Sequence, residues 1–202
     1  MGLEGVVEPF LKGGKDIYVA EYEWNPTEEL DQDEAIMLRD KFIEDFEHAI
    51  TVARTVVWDK ETQVWELFRY AEFGAPNDAP RNYPQLYQRY RRYLNMPKST
   101  DINFGIIQGM RTPWVTKVNP KSGAQGAVKG NERERKGMDE VEELVHINIE
   151  HFLDPVDKEF KLRIGKARGP GGRDIQNSVI PYCDFSDFAT LVFPDTEKTD
   201  WE

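Results

Sequence analysis

Residues 54–74, RTVVWDKETQVWELFRYAEFG, change hydrophobic period in mid-stretch. Val56, Val57 and Trp58 form a short apolar run that stops at Asp59. After it Val64, Trp65, Leu67, Phe68 and Ala71 recur at helical spacing, and Gly74 follows as a stop. A short β-branched run reads as a fully buried strand, and the spaced run as an amphipathic helix. Asp59 then falls where a buried parallel strand meets its helix, the edge at which α/β sheets bind ligands. A carboxylate there suits a hard cation with oxygen ligands. The plainer alternative is that Asp59 caps the helix.

The rest of the chain supplies more alternating strands and helices. Residues 2–15, GLEGVVEPFLKGGK, read as a short helix ended by Gly13-Gly14, and DIYVAEYEW (16–24) as a strand. Residues 28–53 form an acidic amphipathic helix, with Ile36, Leu38, Phe42, Ile43, Phe46, Ala49 and Ile50 on its apolar face. A loop over 75–84 leads to a helix over 85–95 that carries Tyr87, Tyr90 and Tyr93 with Arg89, Arg91 and Arg92. Bases of a single strand could stack on those rings and guanidiniums, although such helices more often bury their tyrosines. INFGIIQGM reads as a buried strand ending at Gln108. VHINIEHFL and EFKLRIGKAR look like hairpin strands around Asp154-Pro155-Val156-Asp157, and ATLVF like a last short strand. His146 and His151 are five residues apart, which puts them on opposite faces of a strand and argues against a shared metal. The pattern predicts one α/β domain over 1–202, parallel in its first half, with an antiparallel strand pair near the C-terminus.

Charge is segregated. The net charge is −11, yet residues 1–50 carry −10 and residues 137–202 carry −8, while 81–136 carry +9. Within the basic middle, residues 111–137 hold four glycines, two prolines and seven lysines or arginines with little apolar periodicity. That is long for a connection inside a compact domain, so the stretch reads as a flexible basic loop, either functional or disordered. A local positive field in an acidic protein is suited to phosphates. Cys183 is the only cysteine, so no intrachain disulfide forms and a reducing compartment is expected. No apolar run is long enough to span a bilayer and the N-terminus lacks signal-peptide order, so a cytoplasmic location is expected.

The succession of VARTVVWDKETQVWELFRYAEFG, a Tyr/Arg helix, FGIIQGMR, a glycine-rich basic loop, FKLRIGKAR and a closing LVFP resembles the RecA-like ATPases of bacteriophages. Within that group it is most similar to the AAA-type ATPases and single-strand annealing recombinases. The resemblance implies a P-loop NTPase core with a mostly parallel central sheet flanked by helices, and ATP with Mg²⁺ as cofactors. It implies Asp59 as the Walker B aspartate at the metal, Gln108 as a sensor of the γ-phosphate, and Glu21 or Glu23 as the catalytic glutamate. Lys166 and Arg168 would be the cation pair inserted into a neighbour's nucleotide site, which fits alternate residues on one face of a strand. The loop with Arg111, Lys117, Lys121, Lys129, Arg133 and Arg135 would bind single-stranded DNA, in a homo-oligomer or filament. A phage origin would place the protein in the host cytoplasm.

The sequence departs from that family in having no GxxxxGK[ST] phosphate loop. The chain reads as if it begins after the loop, its helix and a second strand, leaving the first βα unit missing. Two functions follow. One is an ATP- and Mg²⁺-dependent recombination enzyme unable to hydrolyse ATP by itself in this form. The other is a non-catalytic RecA-like module that binds DNA or a protein.

Overall fold

The computed structural model describes residues 16–22, 30–74, 83–112, 114–118, 125–130 and 134–200. These belong to two compact units, Met1–Met138 and Asp139–Glu202, and each is described by itself. The expected helix over 2–15 lies outside the described residues.

The first unit is built on α1 (Gln32–Val52), β1 (Thr55–Trp58), α2 (Glu61–Phe73), α3 (Pro84–Asn95) and β2 (Asn103–Ile106). β1 and β2 pair in parallel, Thr55 opposite Asn103 through Trp58 opposite Ile106. Their core is aromatic. The Trp58 ring lies 4.7 Å from Phe46, 5.0 Å from Phe104 and 5.1 Å from Phe42, each edge to face, the arrangement that ring quadrupoles favour. Phe68 and Trp65 of α2 both meet Tyr90 of α3, at 4.9 and 5.1 Å. Spacing explains the helices: Phe42, Phe46 and Ile50 recur every four residues along α1, and Leu86, Tyr90 and Leu94 along α3, and all six are buried.

This architecture corrects the expected RecA-like core. A mostly parallel central sheet, buried on both faces, does not occur among the described residues; the only parallel pairing there is the two-stranded β1–β2. Helices cover one face of that pair, while Val57 stays 54 % exposed and Ile107, just past β2, 51 % exposed. The run 56–58 therefore reads as fully buried in sequence and proves half-buried in space. The segment expected as a strand at 16–24 has no regular structure over 16–22, and 23–24 lie outside the described residues. Tyr22 nevertheless docks on α1, with its ring 5.5 Å from Phe42 and its hydroxyl donating to Asp45 at 2.7 Å.

The basic middle folds as a ribbon. β3 (Met110–Arg111) pairs antiparallel with β6 (Glu134–Arg135), and β4 (Trp114–Val118) pairs antiparallel with β5 (Gln125–Lys129). None of its described residues is buried.

The second unit contains α4 (Val141–Leu144), β7 (Ile147–Leu153), β8 (Phe160–Ala167), α5 (Gly172–Ile175), β9 (Val179–Pro181) and α6 (Phe185–Val192). β7, β8 and β9 form an antiparallel sheet in that order, as the hairpin reading of 145–168 implied for its first two strands. Its core joins Leu162, Ile164 and Ala167 of β8 to Phe188 and Val192 of α6. The expected strand ATLVF is the end of that helix instead. Asp184 and Asp187 form a reciprocal capping box, with the Asp187 N–H donating to Asp184 Oδ1 at 2.7 Å. From there Phe188, Ala189 and Val192 follow at helical spacing. Among the described residues no helix is long and apolar enough to cross a membrane.

The cap carries a prediction. Asp184→Ala removes the acceptor for the Asp187 amide and should cost about 1 kcal/mol of stability, read as a lower denaturation midpoint with the native circular dichroism retained.

Candidate nucleic-acid interface

Asp59 follows the last residue of β1 and is exposed. It does stand at the carboxyl end of a parallel pair, but the chemistry expected of it finds no partner there. Among the described residues no group of three or more His, Cys, Asp or Glu side chains is placed to hold a metal ion. Glu21 is exposed in the irregular stretch before α1, and neither a hydrogen bond nor an ion pair joins it to Asp59. Glu23 lies outside the described residues. Mg²⁺ bound to a nucleotide needs several oxygen ligands and a cradle of backbone N–H groups. A lone exposed carboxylate does not fit that role. Nor does Asp59 cap α2: the residue before the helix is Lys60, in the left-handed conformation at φ 63°, and no side chain caps it. The Glu61 N–H instead donates to the Ile107 carbonyl at 2.8 Å, so the end of β2 satisfies the first turn.

The buried acid in this region is Glu61, two residues further on. Its carboxylate is fully buried and accepts from Tyr90 Oη at 2.7 Å, from Gln108 Nε2 at 2.8 Å and from the Met138 backbone N–H. Burial raises its pKa above the ordinary glutamate value, against the pull of those three donors. The same burial, with the Glu61 charge beside it, holds the Tyr90 hydroxyl protonated and donating. Gln108, expected to face a γ-phosphate, faces this carboxylate. Sequence alone did carry a signal for Glu61. It stands four residues before Trp65 and seven before Phe68, which are 5 % and 2 % exposed, so it lies on the buried stripe of α2.

Neighbouring bonds converge on the root of the ribbon. Thr62 Oγ1 donates to the Lys136 carbonyl at 2.7 Å and accepts from the Gly109 N–H at 3.1 Å. Lys136 N–H donates to the Gly109 carbonyl at 2.8 Å, and its ammonium pairs with Glu66 at 2.7 Å. Gly137 has φ +130°, and a Cβ there would run into Glu61 Oε2, so only glycine passes this point without a shift.

The ribbon itself holds the expected cations. Residues 109–138 contain seven lysines or arginines against two glutamates, a net +5 within a chain of −11. Arg111 pairs with Glu134 across the first rung at 2.7 Å. Lys117 sits on β4 opposite Gly126, and Lys129 on β5 opposite Trp114. Arg135 is on β6, while Lys121 and Arg133 lie outside the described residues. The tyrosines of α3 turn to the core: Tyr90 is fully buried and Tyr87 stacks on Trp65 at 5.2 Å.

Lys166 and Arg168 belong to the second unit. Lys166 Nζ donates to the carbonyls of Glu142 and Glu143 at 2.7 and 3.1 Å, closing the end of α4. Simple alternation from Leu162 and Ile164 would bury Lys166. A bulge intervenes, because Asn148 pairs with Lys166 and Ile149 with Ile164, leaving Gly165 extra. The phase flips and Ala167 takes the core position. Arg168 is exposed, one residue past the strand, and its amide donates to the His146 carbonyl.

Comparison with protein-family models, with curated proteins and with solved structures gives no match.

Glu61 makes stability depend on pH. Below the ordinary glutamate range, about 4.3, the folded and unfolded states are both protonated and the group contributes no penalty. As pH rises, the unfolded chain releases its proton first, so stability falls until the raised folded pKa is passed and then levels. Glu61→Gln keeps an acceptor for Gln108 and Met138 and removes this slope. Urea denaturation at a series of pH values should show the wild type losing stability relative to the variant as pH rises.

Proposed function

We propose that this protein binds single-stranded nucleic acid through the basic ribbon of residues 110–135, without nucleotide hydrolysis. The observation that supports this reading most is a two-stranded ribbon with a net charge opposite to that of the rest of the chain and no buried residue among those described. An isolated two-stranded ribbon is marginal in water, and lysines and arginines held along one gain by releasing counterions from phosphates. A recombination ATPase has less support, because Asp59 is exposed and no group of carboxylates stands with it among the described residues. DNA rather than RNA, and a role in strand annealing, rest on the family resemblance of the sequence.

The test is titration of a fluorescent oligothymidylate across a range of salt concentrations, with a duplex and an RNA of the same length as competitors. Affinity should fall steeply with salt and be indifferent to ATP. Neutralising Lys117, Lys121, Lys129, Arg133 and Arg135 together should flatten the log–log slope by about 3.5, at roughly 0.7 for each single-strand phosphate no longer neutralised. Unchanged affinity and slope in that variant would exclude the ribbon as the binding surface. A duplex competing on equal terms would exclude the preference for single strands.

A further inference from the structure

The ribbon leaves the core and returns to it through one turn of helix. On the outgoing side Gln108 donates to Glu61, and the Gly109 amide to Thr62. On the returning side the Lys136 carbonyl accepts from Thr62, the Lys136 ammonium pairs with Glu66, and the Met138 amide donates to Glu61. Consecutive residues 61 and 62 thus grip both ends of the ribbon, and Glu61 is also tied to α3 through Tyr90. Of these grips only the Glu61 carboxylate is fully buried, where a hydrogen bond is stronger and an unmade one costs most. The absence of a side chain at Gly137 leaves that carboxylate its room.

We infer that Glu61 is the positioning residue of the ribbon: by holding Gln108 and the Met138 amide on one buried carboxylate, it fixes the direction in which the cations beyond meet nucleic acid. Glu61 touches no phosphate in this scheme; it sets the fraction of molecules whose ribbon is already aligned. This inference rests on the ribbon being the surface that binds nucleic acid.

Positioning and direct binding separate in the salt dependence. Loosening the root lowers the aligned fraction and weakens apparent affinity in proportion, while the number of phosphates neutralised in the complex, and hence the slope, stays the same. Glu61→Leu should weaken binding of the oligothymidylate about tenfold for an aligned fraction cut to a tenth, at unchanged salt slope. Glu61→Gln, which still accepts from Gln108 and Met138, should restore it. Gln108→Met removes one donor at a half-buried position and serves where Glu61→Leu does not fold; it should also weaken binding at unchanged slope. A global loss of stability would lower the melting temperature without changing affinity well below it, so affinity is read there. Wild-type affinity in Glu61→Leu, or in Gln108→Met where that stands in, would overturn the inference, as would a slope that falls with the affinity.

Amide hydrogen exchange provides a readout that needs no oligonucleotide. In Gln108→Met the amides of Gly109, Lys136 and Met138 should exchange about tenfold faster or more, with those of β1 and β2 unchanged. Equal protection of the three amides would sink the latch even if the ribbon binds. Lost protection in a protein that binds no oligonucleotide would keep the latch, and defeat the binding role of the ribbon and with it the alignment role.

Discussion

A single carboxylate without solvent sets the geometry of the first unit. Taking a charge out of water costs several kcal/mol even after relaxation, and Glu61 offsets part of this with three donors from three parts of the chain: α3, the stretch after β2, and the stretch after the ribbon. Such a group cannot be satisfied by local structure. It forces Tyr90, Gln108 and Met138 to one point, and the chain between the last two must then leave and come back within a few ångströms. A two-stranded ribbon is the simplest backbone that does so, because antiparallel pairing brings its ends together. The position of the acid in the first turn of α2 helps, since the helix dipole favours negative charge there.

An aromatic core packs on the parallel pair that the described residues form. Trp58 and Phe104, from β1 and β2, meet Phe42 and Phe46 of α1, while Phe68 of α2 meets Tyr90 of α3. Among the described residues, large rings fill the space between one sheet face and three helices. The other face keeps Val57 exposed, and Gly105 lies against the Val57 side chain. Parallel strands covered on both faces read as continuous apolar runs, and the run at 56–58 has that appearance. Its middle residue points outward all the same, so the run reflects strand propensity rather than burial.

Helices whose apolar residues keep a strict spacing are legible in the sequence: α1, α2 and α3 fall where the pattern puts them, as does the β7–β8 hairpin. What the pattern misses is decided by a partner elsewhere in the chain. Asp59 stands out in the sequence because it ends a strand, yet among the described residues no cluster of ligands faces it, while Glu61 shares the stripe of Trp65 and Phe68 and is the acid that three donors reach. Periodicity marks such an acid as buried; it says nothing about which donors reach it. ATLVF has the composition of a strand, but the Asp184–Asp187 box just before it starts a helix that it finishes. Alternation puts Lys166 and Arg168 on one face, and a one-residue bulge at Gly165 changes the phase before either is reached. The glycine-rich stretch 111–137 has too little apolar pattern to announce strands, because its pairing runs backbone to backbone and needs no apolar face.

Charge placement bears on how an acidic protein would meet phosphates at all. With a net charge of −11, and with −10 of it in the first fifty residues, the body repels a polyanion. At physiological ionic strength that repulsion decays over about 8 Å. The five residues of β4, at about 3.4 Å each, extend for about 17 Å, roughly two screening lengths. On the proposed reading, Lys117 of β4 and Lys129 of β5 would be the cations that this ladder offers to a phosphate backbone. The same residues set into the core surface would lose much of their attraction to neighbouring carboxylates. On the proposed reading, a basic ribbon gripped at its root by Glu61 and Thr62 would let an acidic chain meet phosphates, and its direction would matter as much as its charge.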